Sequence, residues 1–197
     1  MNLGQMMMVI GAIVMLGVLI LNTNSTIYQT TDIMYSSEFG VTAISLSTSL
    51  VEEAMGKMFD QAVADSNAGA LMDSTLLTQP GSLSAEAGES YRGNVVGTTD
   101  FNDFDDYNGL KICYHSEVPA DNDATPGYVQ VMVPGIRAKY YVTCTVTYVN
   151  PPYLDVPYTV RQTWHKKLTV TVTSPSATGI TGKPDTLAYP SIMSYWN

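Results

Sequence analysis

The sequence predicts an α+β protein: a long amino-terminal α-helix, apolar and then amphipathic, leading into an antiparallel β-sheet head domain. Three observations carry that expectation. The first 31 residues have no charged side chain, and an unbroken apolar run extends from Met6 to Leu21. From Asp32 to Val63 apolar residues recur three and four apart, the period of one helix face. Beyond residue 110 the text becomes rich in Val, Thr, Tyr and Ile with clear alternation, the period of a half-buried strand.

The first element is the apolar one. Sixteen apolar residues fall slightly short of a bilayer span, but Met1 to Leu21, with only Asn2 and Gln5 polar, reaches the ~20 residues a spanning helix needs. The first basic side chain is Lys57. A secretory signal opens with a basic region and closes on a small-residue cleavage site; the segment has neither, and reads as a mature terminus from which any basic leader has already been removed. Residues 22–31, Asn-Thr-Asn-Ser-Thr-Ile-Tyr-Gln-Thr-Thr, are poor helix formers because their side chains compete for backbone hydrogen bonds. The second element follows. Ile33, Met34, Val41, Ile44, Leu50, Val51, Ala54, Met58, Phe59, Ala62 and Val63 make one face to bury. Residues 1–63 therefore form a rod, weakest in the middle, of roughly 95 Å.

Residues 64–99 connect the rod to the head. Ala, Ser, Gly, Asn and Thr dominate, and Pro80-Gly81 and Gly97 mark turns, so a long surface loop with one short helix is expected. Residues 100–197 form the head. Lys111–Glu117, Tyr128–Val133, Lys139–Val149 and Thr159–Thr173 read as strands, joined most simply as an antiparallel meander through Pro134-Gly135 and Asn150-Pro151-Pro152. The tail, with Pro175, Pro184 and Pro190, is expected as extended segments packed on the sheet.

Composition narrows function. A net charge of −9 with nine basic residues excludes a phosphate-binding surface, hence nucleic acid, and leaves no polybasic patch for anionic lipid. Only 14% of residues are charged, so the polar surface rests on hydroxyls and amides. No nucleophile elbow, phosphate loop or zinc-protease motif occurs, and an enzyme is not expected. The two cysteines, Cys113 and Cys144, both lie in strand-like text. An even count in an exported chain favours a disulfide, worth about 3–4 kcal/mol for that loop length; two buried free thiols are the alternative.

The order of these parts resembles the type IV pilin superfamily. An uncharged apolar helix at the terminus, an amphipathic helix, a loop and an antiparallel sheet with two cysteines are that family's plan, and Met1 matches a first residue that is commonly Phe or Met and N-methylated. The stretch Thr99-Asp-Phe-Asn-Asp-Phe-Asp-Asp-Tyr-Asn-Gly109 is similar to an Asp-rich segment of many pilin-like proteins. The resemblance implies a membrane-inserted precursor, an assembly machinery, and an extracellular fimbrium, a homo-oligomeric helical filament used in processes such as cell adhesion. Its core would contain Met1, Gln5, Met6, Val9, Ile10, Ile13, Val14, Leu16, Ile20 and Leu21. Two departures stand out: Gln5 occupies the place of a Glu thought to pair with a neighbour's amino terminus, and Asn22 replaces a usual Pro. Gln can hydrogen-bond an ammonium group but cannot neutralise it.

Assembly also has a physical motive. Outside lipid an all-apolar helix must be covered, and copies of itself do so at roughly 25 cal/mol per Å² of apolar area. Gly4, Gly11, Ala12 and Gly17 permit close approach, while Met6, Met7, Met8 and Met15 fill irregular gaps. The alternatives are a minor pilin or secretion-system pseudopilin, and a monomeric membrane-anchored β-domain that binds or senses a ligand.

The head offers further candidates. Asp100, Asn102, Asp103, Asp105 and Asp106 place five oxygen donors within seven residues, enough for a Ca²⁺ ion. The spacing departs from the EF-hand, with Phe104 where Asp or Asn is expected. The competing expectation is a turn held by side-chain hydrogen bonds, with Phe101, Phe104 and Tyr107 packed inward. Asp121-Asn122-Asp123 is a shorter version. His115 and His165 lack a third metal ligand nearby, Trp164 beside His165-Lys166-Lys167 could form a sugar-binding patch, and Asn24-Ser25-Thr26 is a glycosylation sequon.

Overall fold

A helix, α1, runs without interruption from Leu3 to Met55 in the computed structural model, which describes residues 3–65, 73–116, 126–136, 138–178 and 184–195. Its 53 residues span about 80 Å. The stretch 22–31 is helical despite its propensities. Four threonines turn their competing hydroxyls back onto the helix: Thr23, Thr26, Thr30 and Thr31 donate to the carbonyls of Leu19, Asn22, Thr26 and Ile27, at 2.9–3.0 Å. The helix stops short of the expected Val63. At Gly56 the N–H is shared between the carbonyls of Glu52 and Glu53, both at 3.2 Å, and a separate short helix, α2, covers Gln61–Asp65.

Five strands follow: β1 (Lys111–His115), β2 (Val129–Met132), β3 (Tyr140–Tyr148), β4 (His165–Thr178) and β5 (Pro184–Ser194). They form one sheet in the order β2-β1-β3-β4-β5. The α+β class and the largely antiparallel sheet are as the sequence predicts. The meander fails at one point, because β2 pairs with β1 in parallel, Ile112 opposite Val129. Residues 116–128 are long enough for the crossover that a parallel pair needs, and Pro134-Gly135 then leads back across to β3 instead of closing a hairpin. The tail forms a full strand. Proline is tolerated in β5 because it lies at the sheet edge, and Pro175 coincides with a shift of register between Ser174 and Thr178.

The carboxy-terminal part of α1 packs on one face of this sheet. Phe39, Ala43, Ser47, Leu50, Val51 and Ala54 are its buried residues and share one helix face. They meet Val142, Cys144 and Val146 of β3 and Leu168, Val170 and Val172 of β4. This is not wholly the predicted face. Leu50, Val51 and Ala54 are buried, but Ile33, Met34, Val41 and Ile44 are exposed, and the small Ala43 and Ser47 take the sheet side, letting the helix axis come close.

The expected disulfide is absent. Cys113 and Cys144 are both buried and both free. The register gives the reason: Ile112 pairs with Val142 and Cys113 with Tyr141, so Cys113 shares a face with Tyr141, whereas Cys144 shares the opposite face with Val142. The sheet itself separates the two sulfurs. Burial in the apolar core pushes the Cys144 thiol up to about 12.

Candidate functional site

Two places in the molecule depart from an ordinary α+β core, and both involve α1. The first is its free length. Every residue from Leu3 to Glu38 is exposed, and the window that is long and apolar enough to cross a membrane is wholly unburied. The predicted core residues Gln5, Met6, Val9, Ile10, Ile13, Val14, Leu16, Ile20 and Leu21 all lie there; Met1 falls outside the described residues. A Cβ built on Gly4, Gly11 or Gly17 would meet nothing within 4 Å, so none of the described residues of the chain uses their smallness.

Exposed apolar residues continue past the membrane-length window. Ile27, Met34 and Val41 are 56%, 67% and 71% exposed and lie seven residues apart, so they point in nearly the same direction. At 100° per residue that direction is roughly opposite the buried line of Phe39, Ala43 and Leu50. The helix thus gives one side to its own sheet and an apolar stripe to whatever lies outside. A long apolar amino-terminal helix followed by such a sheet is a pilin-like architecture.

The second place is the acidic loop, which clamps the end of α1 to the sheet. Lys57, just past the helix, donates to the Phe101 carbonyl at 2.6 Å and to Asp100 at 3.1 Å. Glu53 accepts from Tyr91, Tyr107 and Arg92. The backbone of Met58 hydrogen-bonds in both directions, to Asn102 and from Phe104. Beneath them Lys166 of β4 is fully buried. Its Nζ donates to Asp60 at 2.6 Å, to the Phe59 carbonyl at 2.9 Å and to Asp105, and it lies over the rings of Phe59 and Tyr148. Burial pushes the Asp60 carboxyl up, but the Lys166 charge, with the N–H groups of Ala62 and Thr78, outweighs that and holds it below the ordinary carboxylate range. Burial lifts Asp105 against the pull of the same lysine. With no exposure, Lys166 can reach no substrate; it joins three segments, post-helix, acidic loop and β4, at one point.

The five predicted calcium ligands do not converge. Asp100 binds Lys57 and the N–H groups of Arg92 and Phe101; Asp105 binds Lys166. Asp103 Oδ1 accepts from the N–H groups of Asp105 and Asp106, and Asp106 Oδ2 from those of Asn102 and Asp103. These bonds shape the turn, and Phe101, Phe104 and Tyr107 pack inward as the competing expectation held. One carboxylate oxygen of Asp106 instead lies within 4.8 Å of one oxygen from each of Glu86 and Glu89, which the sequence did not single out. Burial, and then the adjacent Asp106 carboxyl, lifts Glu86 to about 7; burial and the Asp106 charge lift Asp103 to about 7.

The remaining candidates separate. His115 and His165 sit beyond opposite ends of β3, roughly 33 Å apart along the strand. His165 Nδ1 is 2.8 Å from Ser194 Oγ. Trp164 stacks on Tyr195 at 5.5 Å and is only partly exposed, which leaves little of it for a sugar. Asn24 lies on the exposed length of α1. Asp121-Asn122-Asp123 falls outside the described residues. No family model, curated protein or solved structure matches this chain.

Proposed function

We propose that this chain is a structural subunit of a type IV pilus-like helical filament, membrane-inserted as a precursor and extracellular once assembled. The observation that carries this reading is the exposed apolar surface of α1 beyond the length of one bilayer span. About 20 residues suffice to cross the hydrocarbon, which accounts for Leu3 to roughly Asn22. Ile27, Ile33, Met34, Val41 and Ile44 lie past that limit and are each at least half exposed. A solitary anchor would leave them in water. A second copy laid alongside covers them with the same kind of surface, and the glycines of the apolar segment allow the backbones to approach.

In this reading the amino-terminal helices form the filament core, the β head forms the outer surface, and the role is structural rather than catalytic. Electron microscopy of material sheared from the cell surface tests it. Fibres that contain this chain are expected. A chain that stays entirely in the membrane fraction as a monomer would instead make it an anchored β-domain.

A further inference from the structure

We propose that Glu86, Glu89 and Asp106 form a binding site for a Ca²⁺ ion. This inference does not depend on the filament reading. One carboxylate oxygen from each residue lies within 4.8 Å of the other two. Ca²⁺ holds oxygen ligands at 2.3–2.6 Å, so oxygens sharing one ion stand no more than about 4.6–5.2 Å apart. That spacing brings the three oxygens close enough to close on one ion.

The second observation is the state of those oxygens. Asp106 is 1% exposed, yet its Oδ1 has no hydrogen-bond partner. Glu86 Oε2 and Glu89 Oε2 are also enclosed and without a donor, as are Asn102 Oδ1 and Asp103 Oδ2 beside them. A buried carboxylate oxygen with no donor is costly, and three turned toward one another repel as well. Nearby cations are committed elsewhere: Lys57 to Asp100, Arg92 to Glu53, and Lys166 to Asp60 and Asp105.

The backbone builds the arrangement from two segments. Glu86 and Glu89 flank a turn closed by the Glu89 N–H on the Glu86 carbonyl at 3.2 Å. Gly88 occupies its third position at φ +100°, which L side chains rarely adopt. The turn is tied by Thr99 N–H to the Gly88 carbonyl and by Ser90 N–H to the Thr99 carbonyl, next to the acidic loop. Asp106 is fixed by two N–H groups on Oδ2, which leaves Oδ1 uncommitted, and Asn102 Nδ2 holds Glu89 Oε1 at 2.6 Å. Both glutamates are partly exposed, so solvent reaches the rim of the cluster. Three carboxylates with adaptable supplementary oxygens suit Ca²⁺, which takes six to eight ligands in flexible geometry, better than Mg²⁺, which demands an octahedron and keeps its water.

Thermal unfolding of the full chain in detergent, followed by aromatic circular dichroism, tests the site. Going from EGTA to about 10 mM CaCl₂ should raise Tm by roughly 3–6 °C for a Kd near 1 mM, with a smaller rise in MgCl₂. The double variant E86Q/E89Q should lose the calcium response while melting higher than the wild type in EGTA, because the repulsion is relieved. Equilibrium dialysis with radioactive calcium should find one ion per wild-type chain, a readout that needs no variant to fold; D106N should find none. No calcium-dependent rise or no bound ion in the wild type, a response that survives in E86Q/E89Q, or an equal response to Mg²⁺ each overturns the assignment.

Discussion

The two ends of α1 obey opposite rules. From Leu3 to Glu38 every residue of the helix is exposed and its apolar side chains face outward, whereas from Phe39 to Ala54 one face is buried on the sheet and the helix end is clamped by Lys57, Glu53 and the Lys166 cluster. The clamped end draws its stability from inside the chain. The free end is exposed along its length, and in the proposed reading lipid or copies of itself would cover it. A helix held at one end and bare at the other has the form of a handle, and the head is expected to fold independently of what grips it.

The largest effect should come from removing the handle. Deleting residues 1–28 should abolish both membrane association and assembly, yet shift the Tm of the head by no more than about 2–4 °C. Sedimentation and calorimetry of the truncated chain check this. A truncated head that unfolds would show that the two ends are not independent.

The clamp should respond next. Lys166→Met leaves Asp60 and Asp105 buried beside no cation, which costs about 3–5 kcal/mol in urea unfolding. The acid response follows from the sign of the Asp60 shift. Its folded pKa is held below the unfolded value near 3.8, so its contribution is present above that pH and fades as pH falls through the folded pKa. Wild type should therefore lose stability below about pH 4, and Lys166→Met should lose less over the same range because its carboxylates no longer gain from the lysine. Equal acid sensitivity in both would place the dependence elsewhere.

On the outer face of the same helix, Val41→Asp should separate the two rules. Val41 is 71% exposed, so the change should alter head stability within about 0.5 kcal/mol while sharply reducing fibre yield. Normal fibres from Val41→Asp would remove the stripe from the assembly surface.

How far these contrasts could be read from the sequence depends on the kind of signal. The fold class was legible because three hydrophobic periods, none, 3.6 and 2, follow one another along the chain. The buried helix face was partly misread: residues 33–54 carry apolar side chains on two sides, and size, not hydropathy, decides that Ala43 and Ser47 face the sheet. Lys166 was legible in principle. The alternation Leu168, Val170, Val172 extended two residues back puts position 166 inward, but a lysine's charge argues against that position until Asp60 and Asp105 are known to meet it. The parallel β2 was not legible, since a strand's period carries no direction. Nor was the Glu86–Glu89 turn, whose relation to Asp106 exists only once the chain has folded back.

The smallest expected effect concerns the cysteines. Because Cys113 and Cys144 lie on opposite faces of the sheet, reductant should leave the Tm unchanged, whereas a disulfide would contribute about 3–4 kcal/mol and its loss would be plain in the melt. Mass spectrometry should find no alkylation in the folded protein, since both thiols are buried, and two alkyl groups after unfolding in the absence of reductant. The individual thiols differ in what they touch. Cys144 faces the α1 side among Val142, Val146 and Val170, so Cys144→Ser buries a stronger hydrogen-bonding group in apolar surroundings and should cost about 1–3 kcal/mol, while Cys144→Ala should cost less. If Cys144→Ser and Cys144→Ala destabilise alike, the site behaves as a packing position with room for a hydroxyl, and the apolar contact between helix and sheet is looser there than the clamp below it.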